Sequence, residues 1–346
     1  MLRFAILGCG GIAEIHAKAI ARLEQEGIAR LVAGGEPHPE RRKTFGEKWG
    51  ITMTPSLDDL LKLKDVDAVT VCTLGGLHGV HSAQIAQAGK HVICEKPLDT
   101  RIERAQQAID AAKKAGVVLG GIFQQRFVPT VQKVKKLIDE GYFGRIIYAH
   151  CETPWYRPQA YYDQAGWRGT WDMDGGVLSN QAPHMIDRMT WLAGDVESVV
   201  SAVCYPGYLR KIEAETLAAA TVKLKGDVLA TITGTTLAYE GMPQRVMVCG
   251  TEGSVAFQGD DLVYFKTVKP VNAPDLRVLP AVQDDSARAA KPLALSEENH
   301  YRNIKDFALA IKEGRKPLVD AEESIKIVKV LNMIYEAAKV GPYADK

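Results

Sequence analysis

What the chain is short of narrows its function first. Charge imbalance is nearly absent: 43 lysines and arginines face 42 acidic residues, a formal net charge of +1. That leaves no electrostatic footprint for nucleic acid. No apolar run reaches the roughly 20 residues that a membrane-spanning helix needs, and Met1 to Gly8 lead straight into a strand without a signal-peptide pattern. The six cysteines (Cys9, Cys72, Cys94, Cys151, Cys204, Cys249) contain no C-x-x-C pair. Neither a metal site nor a disulfide frame is expected from them, and they read as reduced thiols of a cytoplasmic protein. Internal repeats and low-complexity tracts are missing too. These absences leave a small molecule as the partner, with no nucleic acid, membrane or metal.

With 346 residues, 46% hydrophobic and 25% charged, the chain has enough material for two cores. Residues 2–7 form an apolar strand that runs into Gly8-Cys9-Gly10-Gly11-Ile12-Ala13, after which Ile12, Ile15, His16, Ala19, Ile20 and Leu23 recur at helical spacing. This is strand, glycine turn, helix, with the pattern G-x-G-x-x-A. Gly8 permits the tight turn, Gly10 lets a pyrophosphate approach the backbone, and the small Ala13 allows close helix–strand packing. Phosphate charge would rest on the first N–H groups and the positive dipole end of the helix, which makes Gly8, Gly10, Gly11 and Ile12 candidate cofactor residues.

A second strand, 28–33, ends at Gly34-Gly35-Glu36. A carboxylate at this distance from the turn accepts hydrogen bonds from the adenosine ribose and repels a 2′-phosphate, so Glu36 favours NAD. Arg41 and Arg42 are the counter-signal. They either reach a 2′-phosphate, which keeps NADP open, or form a solvated helix face.

The alternation continues. A helix ends at Trp49-Gly50, a short strand lies near Thr52, and Ser56-Leu57-Asp58-Asp59 opens a helix with a capping-box pattern. Then come a strand at 66–72, a loop from Thr73 to His78, a helix to Ala88, a strand before Lys96, a capped helix at 100–115 and a strand at 117–121. Strands separated by helices predict a doubly wound parallel sheet over residues 1–122. Ligands of such sheets sit at the carboxyl ends of the strands, where Gly8, Glu36, Thr73 and Lys96 all fall.

Lys96 is the lead catalytic candidate. It closes the apolar run His91-Val92-Ile93-Cys94-Glu95, and Pro97 bars it from helical backbone angles and holds it extended. The plainer alternative is a surface lysine before a helix-starting proline.

Residues 123–346 have a different character. A short amphipathic helix at 131–138 and a strand at 145–151 precede a polar loop carrying Trp155, Tyr156, Tyr161, Tyr162, Trp167 and Trp171. Aromatics are only 7% of the chain, so this concentration is a local signal. It suits a platform for the C–H faces of a sugar, with Arg157, Arg168 or Gln164 on its hydroxyls. Packing against a second subunit explains it equally well.

Next comes Gly175-Gly176, then Asn180, His184 and Asp187, which share one face if the segment is a continuous helix. Pro183 demands either a kink or a helix that begins near it. A lone histidine is more often structural, but this polar row beside a double glycine tips the reading towards chemistry. Strands at 198–205, 216–224, 228–236, 245–250, 254–258 and 262–266 predict one large, mostly antiparallel sheet with helices on one face. An apolar far face would need cover, so a homodimer or homotetramer through this sheet is expected. Residues 267–295 form a connection with no assigned structure. Helices at 297–313 and 322–338 close the chain, with packing back on the first domain open to them.

Together these residues resemble the glucose–fructose oxidoreductase, inositol dehydrogenase and MocA family, over nearly the whole chain. The resemblance is carried by the glycine turn, by Gly89-Lys90-His91-Val92 leading to Glu95-Lys96-Pro97, by the double glycine before His184-x-x-Asp187, and by the closing Gly-Arg-Lys-Pro-Leu-Val-Asp segment. It implies an N-terminal Rossmann domain, an α+β C-terminal domain with an open sheet, and an NAD(P)-dependent oxidoreductase acting on a sugar, cyclitol or related polyol. Lys96 and His184 would then share the proton and the developing oxyanion, in either assignment, and the Lys96–Pro97 bond would be cis. The site implied is completed by Thr73, His78, Glu95, Lys96, Arg41 and Gln125 on the cofactor and by Gln124, Tyr156, Trp167, Arg168, Asn180 and Asp187 on the substrate. Two departures stand out: Asn180 replaces a frequent aspartate, and Leu74-Gly75 replaces a common Pro-Asn. Two other readings remain: an enzyme that retains its cofactor and oxidises transiently to assist elimination, epimerisation or glycoside cleavage, and a non-catalytic dinucleotide-sensing regulator.

Overall fold

A computed structural model describes residues 1–272, 276–280 and 297–344, so most of the 267–295 connection lies outside the described residues. The chain divides into two compact units, Met1–Gln124 with Leu295–Val328, and Gln125–Ala294 with Lys329–Lys346.

The first unit is built on six parallel strands: β1 (Leu2–Leu7), β2 (Ala29–Gly35), β3 (Thr52–Thr54), β4 (Ala68–Val71), β5 (His91–Cys94) and β6 (Leu119–Gly121), in the order β3-β2-β1-β4-β5-β6. This is the doubly wound Rossmann order expected from the alternation. Burial explains why β1 is apolar from Phe4 on. Phe4 and Ile6 enter one core while Ala5 and Leu7 enter the other, because helices cover both faces. The helices are α1 (Gly11–Gln25), α2 (Pro39–Trp49), α3 (Leu57–Leu61), α4 (His78–Gln87) and α5 (Ile102–Ala115). Ser56 caps α3, its Oγ accepting the Asp59 N–H at 3.1 Å. The later helix Glu297–Glu313 packs on α1.

Several boundaries differ from the sequence reading. β2 runs on through both glycines: a Cβ on Gly35 would lie 2.9 Å from Leu7 Cδ1, so only glycine lets the strand continue there. α5 starts two residues later than expected and without a side-chain cap at Arg101. The Asp99 carboxylate takes the Arg101 N–H instead, at 3.0 Å.

The second unit has one seven-stranded sheet of β7 (Ile146–Pro154), β8 (Val196–Pro206), β9 (Glu215–Leu224), β10 (Val228–Thr235), β11 (Arg245–Gly250), β12 (Gly253–Gln258) and β13 (Asp261–Thr267), in the order β13-β12-β11-β7-β10-β9-β8. Only β7 and β10 pair in parallel. Two helices, α6 (Pro129–Asp139) and α7 (Gln159–Tyr162), precede the segment that Pro183 made ambiguous. That segment is two helices, α8 (Val177–Asn180) and α9 (Pro183–Ala193), with the proline at the first turn of the second. Proline is welcome there because its missing N–H would have no partner anyway. Of the two outcomes that Pro183 allowed, the second holds: a helix begins at the proline, and the break falls between Asn180 and His184. α9 packs on β7 and β11, and α8 on β9 and β10, so both helices cover the same sheet. Ala321–Ala337 forms the last long helix.

Candidate active site

The glycine turn meets the geometric demands of a phosphate cradle. Gly8 has φ +86°, and a Cβ there would stand 2.8 Å from the Cys72 carbonyl oxygen, because the ends of β1 and β4 come that close. A Cβ on Gly10 would meet no atom within 4 Å, so the space over that backbone is open. α1 begins next to it with no side-chain cap, leaving first-turn N–H donors and the helix dipole for an anion. Ala13 is fully buried against the sheet.

Glu36 is 3% exposed and folded under this turn. Its Oε2 accepts the Cys9 N–H at 2.9 Å, while Oε1 takes the His38 N–H at 2.9 Å and an Arg41 N–H at 3.0 Å. Burial alone would raise its pKa; the bonds from His38, Cys9 and Arg41 outweigh it and hold the carboxyl below its ordinary value. Oε2 carries one donor where two fit, which leaves an acceptor position for a ribose hydroxyl. Arg41 is committed to Glu36, and Arg42 donates to the carbonyls of Glu36 and Pro37.

Lys96 follows β5 and is half-buried; the Lys96–Pro97 bond is cis. His78 bridges this loop to the neighbouring one, with Nδ1 2.7 Å from the Pro97 carbonyl and Nε2 3.1 Å from the Thr73 carbonyl. Both ring nitrogens lie against backbone carbonyls, so His78 braces the two loops. Asp99 adds a second brace, accepting the Gly79 N–H at 2.9 Å and Arg104 Nε at 2.7 Å. Thr73 Oγ1 pairs with His81 Nδ1 at 3.1 Å. The main chain around Lys96 is thus held by buried hydrogen bonds from α4 and α5.

Glu95 is 6% exposed, and its Oε1 lies 2.9 Å from Nε2 of the fully buried His16. For Glu95, burial favours the neutral acid, but His16, His300 and Lys96 prevail and bring it down to about 2 from 4.5. For His16, burial favours the neutral ring, but Cys72 and Glu95 prevail and raise it to about 10 from 6.5. The depressed acid stabilises the fold above about pH 4.5 and loses that contribution as pH falls towards 2; the raised imidazole contributes fully below about 6.5 and loses it as pH rises towards 10. Wild-type Tm should therefore decline between pH 7 and 10 more steeply than that of His16→Asn. Parallel Tm–pH curves for the two proteins would show that the pair contributes nothing.

In the second unit, His184 stands in the first turn of α9 and is 8% exposed. Three residues on, Asp187 is fully buried and receives Arg126 as a fork, Nε at 2.9 Å from Oδ2 and NH2 at 2.6 Å from Oδ1. A carboxylate so occupied anchors α9. Asn180 is half-buried and donates Nδ2 to Asp174 Oδ1; the other Asp174 oxygen accepts the Gly169 N–H at 2.8 Å. Gln125 Oε1 accepts from Arg188, and Gln124, in the first unit, has no exposed surface.

The aromatic loop also sorts differently. Tyr161 and Tyr162 are buried and packed edge to face at 5.1 Å, and Trp171 packs on Tyr335 at 5.2 Å. Half-exposed Trp167 and Tyr156 carry guanidinium groups, Arg168 lying 4.6 Å from the Trp167 ring and Arg210 5.6 Å from Tyr156. Arg168 also donates to Tyr161 Oη at 2.7 Å. The sequence reading missed His16, Arg126 and Asp174 as supporting groups. Only His16 left a signal: an imidazole inside an apolar helical stripe must find buried partners. Among the described residues no cluster of three or more His, Cys, Asp or Glu is arranged for a metal, and no helix is long and apolar enough to cross a membrane.

Comparison with known proteins places these features in context. Residues 2–123 match a family model described as an oxidoreductase family with an NAD-binding Rossmann fold, and 131–256 match the GFO/IDH/MocA C-terminal domain. The WlbA dehydrogenase from Bordetella pertussis, solved with NADH and UDP-GlcNAcA, superposes with a TM-score of 0.86 at 32% identity, covering 98% of this chain and 96% of that one. The 1,5-anhydro-D-fructose reductase of Ensifer adhaerens is 29% identical over 343 residues, 96% of this chain and 97% of its own length. The myo-inositol 2-dehydrogenase of Thermotoga maritima is 26% identical over 330 residues, 93% and 92% respectively.

Proposed function

Because the chain belongs to the glucose–fructose oxidoreductase, inositol dehydrogenase and MocA family of NAD-binding oxidoreductases, we propose that it interconverts a secondary alcohol and a ketone on a sugar, cyclitol or related polyol. The observation that carries this reading is the shared carboxyl edge of the parallel sheet. The glycine turn ends β1 and Lys96 follows β5, with β4 between them, so the two stand about 10 Å apart across the strands. The nicotinamide, when bound, supplies the hydride acceptor or donor. His184 takes the hydroxyl proton of the substrate at an imidazole nitrogen, the side chain most often used for such transfers. Lys96 directs its ammonium at the same oxygen as negative charge grows there, the term that commonly dominates such catalysis. Arg168, Trp167 and Tyr156 are the groups that orient the ring of the substrate, and Asn180 offers an amide to a hydroxyl.

The test is a panel of polyols, aldoses and their nucleotide-linked forms with NAD, followed at 340 nm. Mass spectrometry of the denatured protein for a retained dinucleotide accompanies it. Absence of turnover across the panel by a protein that binds NADH would sink the reading. Cofactor choice is tested separately at Glu36. Loss of a charged hydrogen bond to the ribose in Glu36→Gln should weaken NAD by about 10-fold, and loss of the repulsion should narrow the NAD-to-NADP ratio of kcat/KM. An unchanged ratio would remove Glu36 from that role.

Assembly through the sheet is part of the same reading. Val200, Val203 and Leu229 are 65%, 53% and 50% exposed, apolar area that a second copy would cover. Light scattering at micromolar concentration should give a dimer or tetramer mass; a monomer would refute it.

A further inference from the structure

α1 leaves the glycine turn and, one and a half turns on, sends His16 towards the loop that carries Lys96. His16 Nε2 is 2.9 Å from Glu95 Oε1, and Nδ1 is 2.6 Å from Thr70 Oγ1 on β4. The other Glu95 oxygen, Oε2, accepts the Lys96 backbone N–H at 3.1 Å. From the Glu297–Glu313 helix, His300 brings a second imidazole, its Nε2 3.8 Å from Glu95 Oε1 and its ring centroid 6.0 Å from that of His16. All three side chains are buried. This glutamate lies between two imidazoles and touches the main chain of the residue on which the proposed chemistry depends.

We propose that His16 and Glu95 form a positioning pair that ties the phosphate-binding turn to Lys96, so that the helix anchoring the cofactor also sets where the lysine stands. The geometry lies wholly within the first unit; the role of Lys96 rests on the functional reading above. Two links make the connection stiff. Glu95 holds Lys96 through the backbone, which no movement of the lysine side chain can break. His16 is pinned at both nitrogens, so α1 cannot shift along its axis without pulling on Glu95. Glu95 acts on Lys96 by charge as well: the attraction between carboxylate and ammonium is mutual, and it favours the protonated lysine. The ionisable groups facing Glu95 are His16 from α1, His300 from the later helix, Lys96 beside it, and the Cys72 and Cys94 thiols at the ends of β4 and β5.

The experiment uses Glu95→Gln and His16→Gln in the full-length protein. Glutamine at 95 keeps an oxygen for the Lys96 N–H and loses only the charge; glutamine at 16 keeps a donor for Glu95 and loses the cation. NADH affinity is measured by fluorescence across pH, with kcat on the polyol that the wild type uses and Tm as a folding control. Both variants should bind NADH at neutral pH much as the wild type does, while kcat falls about 10- to 100-fold, the scale of a small displacement at a reacting centre. In Glu95→Gln the alkaline limb, in kcat and in NADH affinity, should move down by about one pH unit. In His16→Gln, where the carboxylate stays and a neighbouring cation is gone, it should not move down. A lower Tm with kcat and both limbs unchanged would reduce the pair to a fold-stabilising contact and overturn the proposal. So would an upward shift in Glu95→Gln. Should Glu95→Gln fail to fold, unchanged kcat in His16→Gln overturns it alone. If the wild type turns over no polyol, the functional reading fails, and the pH dependence of NADH affinity in the two variants still decides the pair.

Discussion

Lys96→Met is expected to lower kcat by about 100- to 1,000-fold, the cost of removing one donor aimed at a developing oxyanion. Methionine keeps the length and most of the apolar stem of the lysine, so the loop should survive: its braces run through His78, Asp99 and the Lys96 backbone N–H, none of which needs the ammonium. NADH binding at the glycine turn should persist in a fluorescence titration, weakened no more than the wild type is beyond its alkaline limb, because that cradle is made from Gly8, Gly10 and the start of α1. The informative comparison is between kcat and KM. A charge that acts only as the transition state forms shows up in kcat and kcat/KM alike. A variant that loses KM alone would make Lys96 a binding residue, and one with near-normal kcat would end its candidacy.

His184→Ala should lower kcat by about 100- to 10,000-fold, the range for a positioned acid–base group. No neighbour on its own chain segment can take over. Asn180 has an amide in place of an acid, and Asp187, three residues on, is enclosed by Arg126. The pH profile then separates two assignments. If His184 is the proton acceptor, the acid limb of wild-type kcat disappears in His184→Ala. If Lys96 is the acceptor, that limb persists in His184→Ala and disappears in Lys96→Met. Full activity in both variants, with cofactor bound, would leave a dinucleotide-binding scaffold without the chemistry proposed here.

Much of this architecture was legible along the chain because it depends on local pattern. The glycine turn could be read from three residues at fixed spacing between an apolar strand and a helical stripe; Gly8 takes the positive φ, Gly10 leaves open space and Ala13 is buried, as the pattern implies. Alternation of strands and helices was enough for the parallel order, and the β-branched strands beyond residue 195 for the antiparallel sheet. Side-chain direction was not legible in the pattern. His78, Glu95 and Asp187 all sit in motifs that suggest ligands, and all three point into the protein, towards carbonyls, a histidine and an arginine distant in sequence. Pro183 carried two meanings by sequence, and packing of α8 and α9 against different strands selected one.

The amino-acid order by itself determined the dinucleotide-binding fold, the location of the phosphate turn and the loop that presents Lys96. Those follow from periodicity and from the backbone limits of glycine and proline, which act over a few residues. Only the tertiary structure decided which polar groups are spent on support: His16 with Glu95, Arg126 with Asp187, Asp174 with Asn180. The physical reason is that a buried charge or amide must be satisfied by whatever partner the fold brings within about 3 Å, and these three pairs are separated in the chain by 79, 61 and 6 residues.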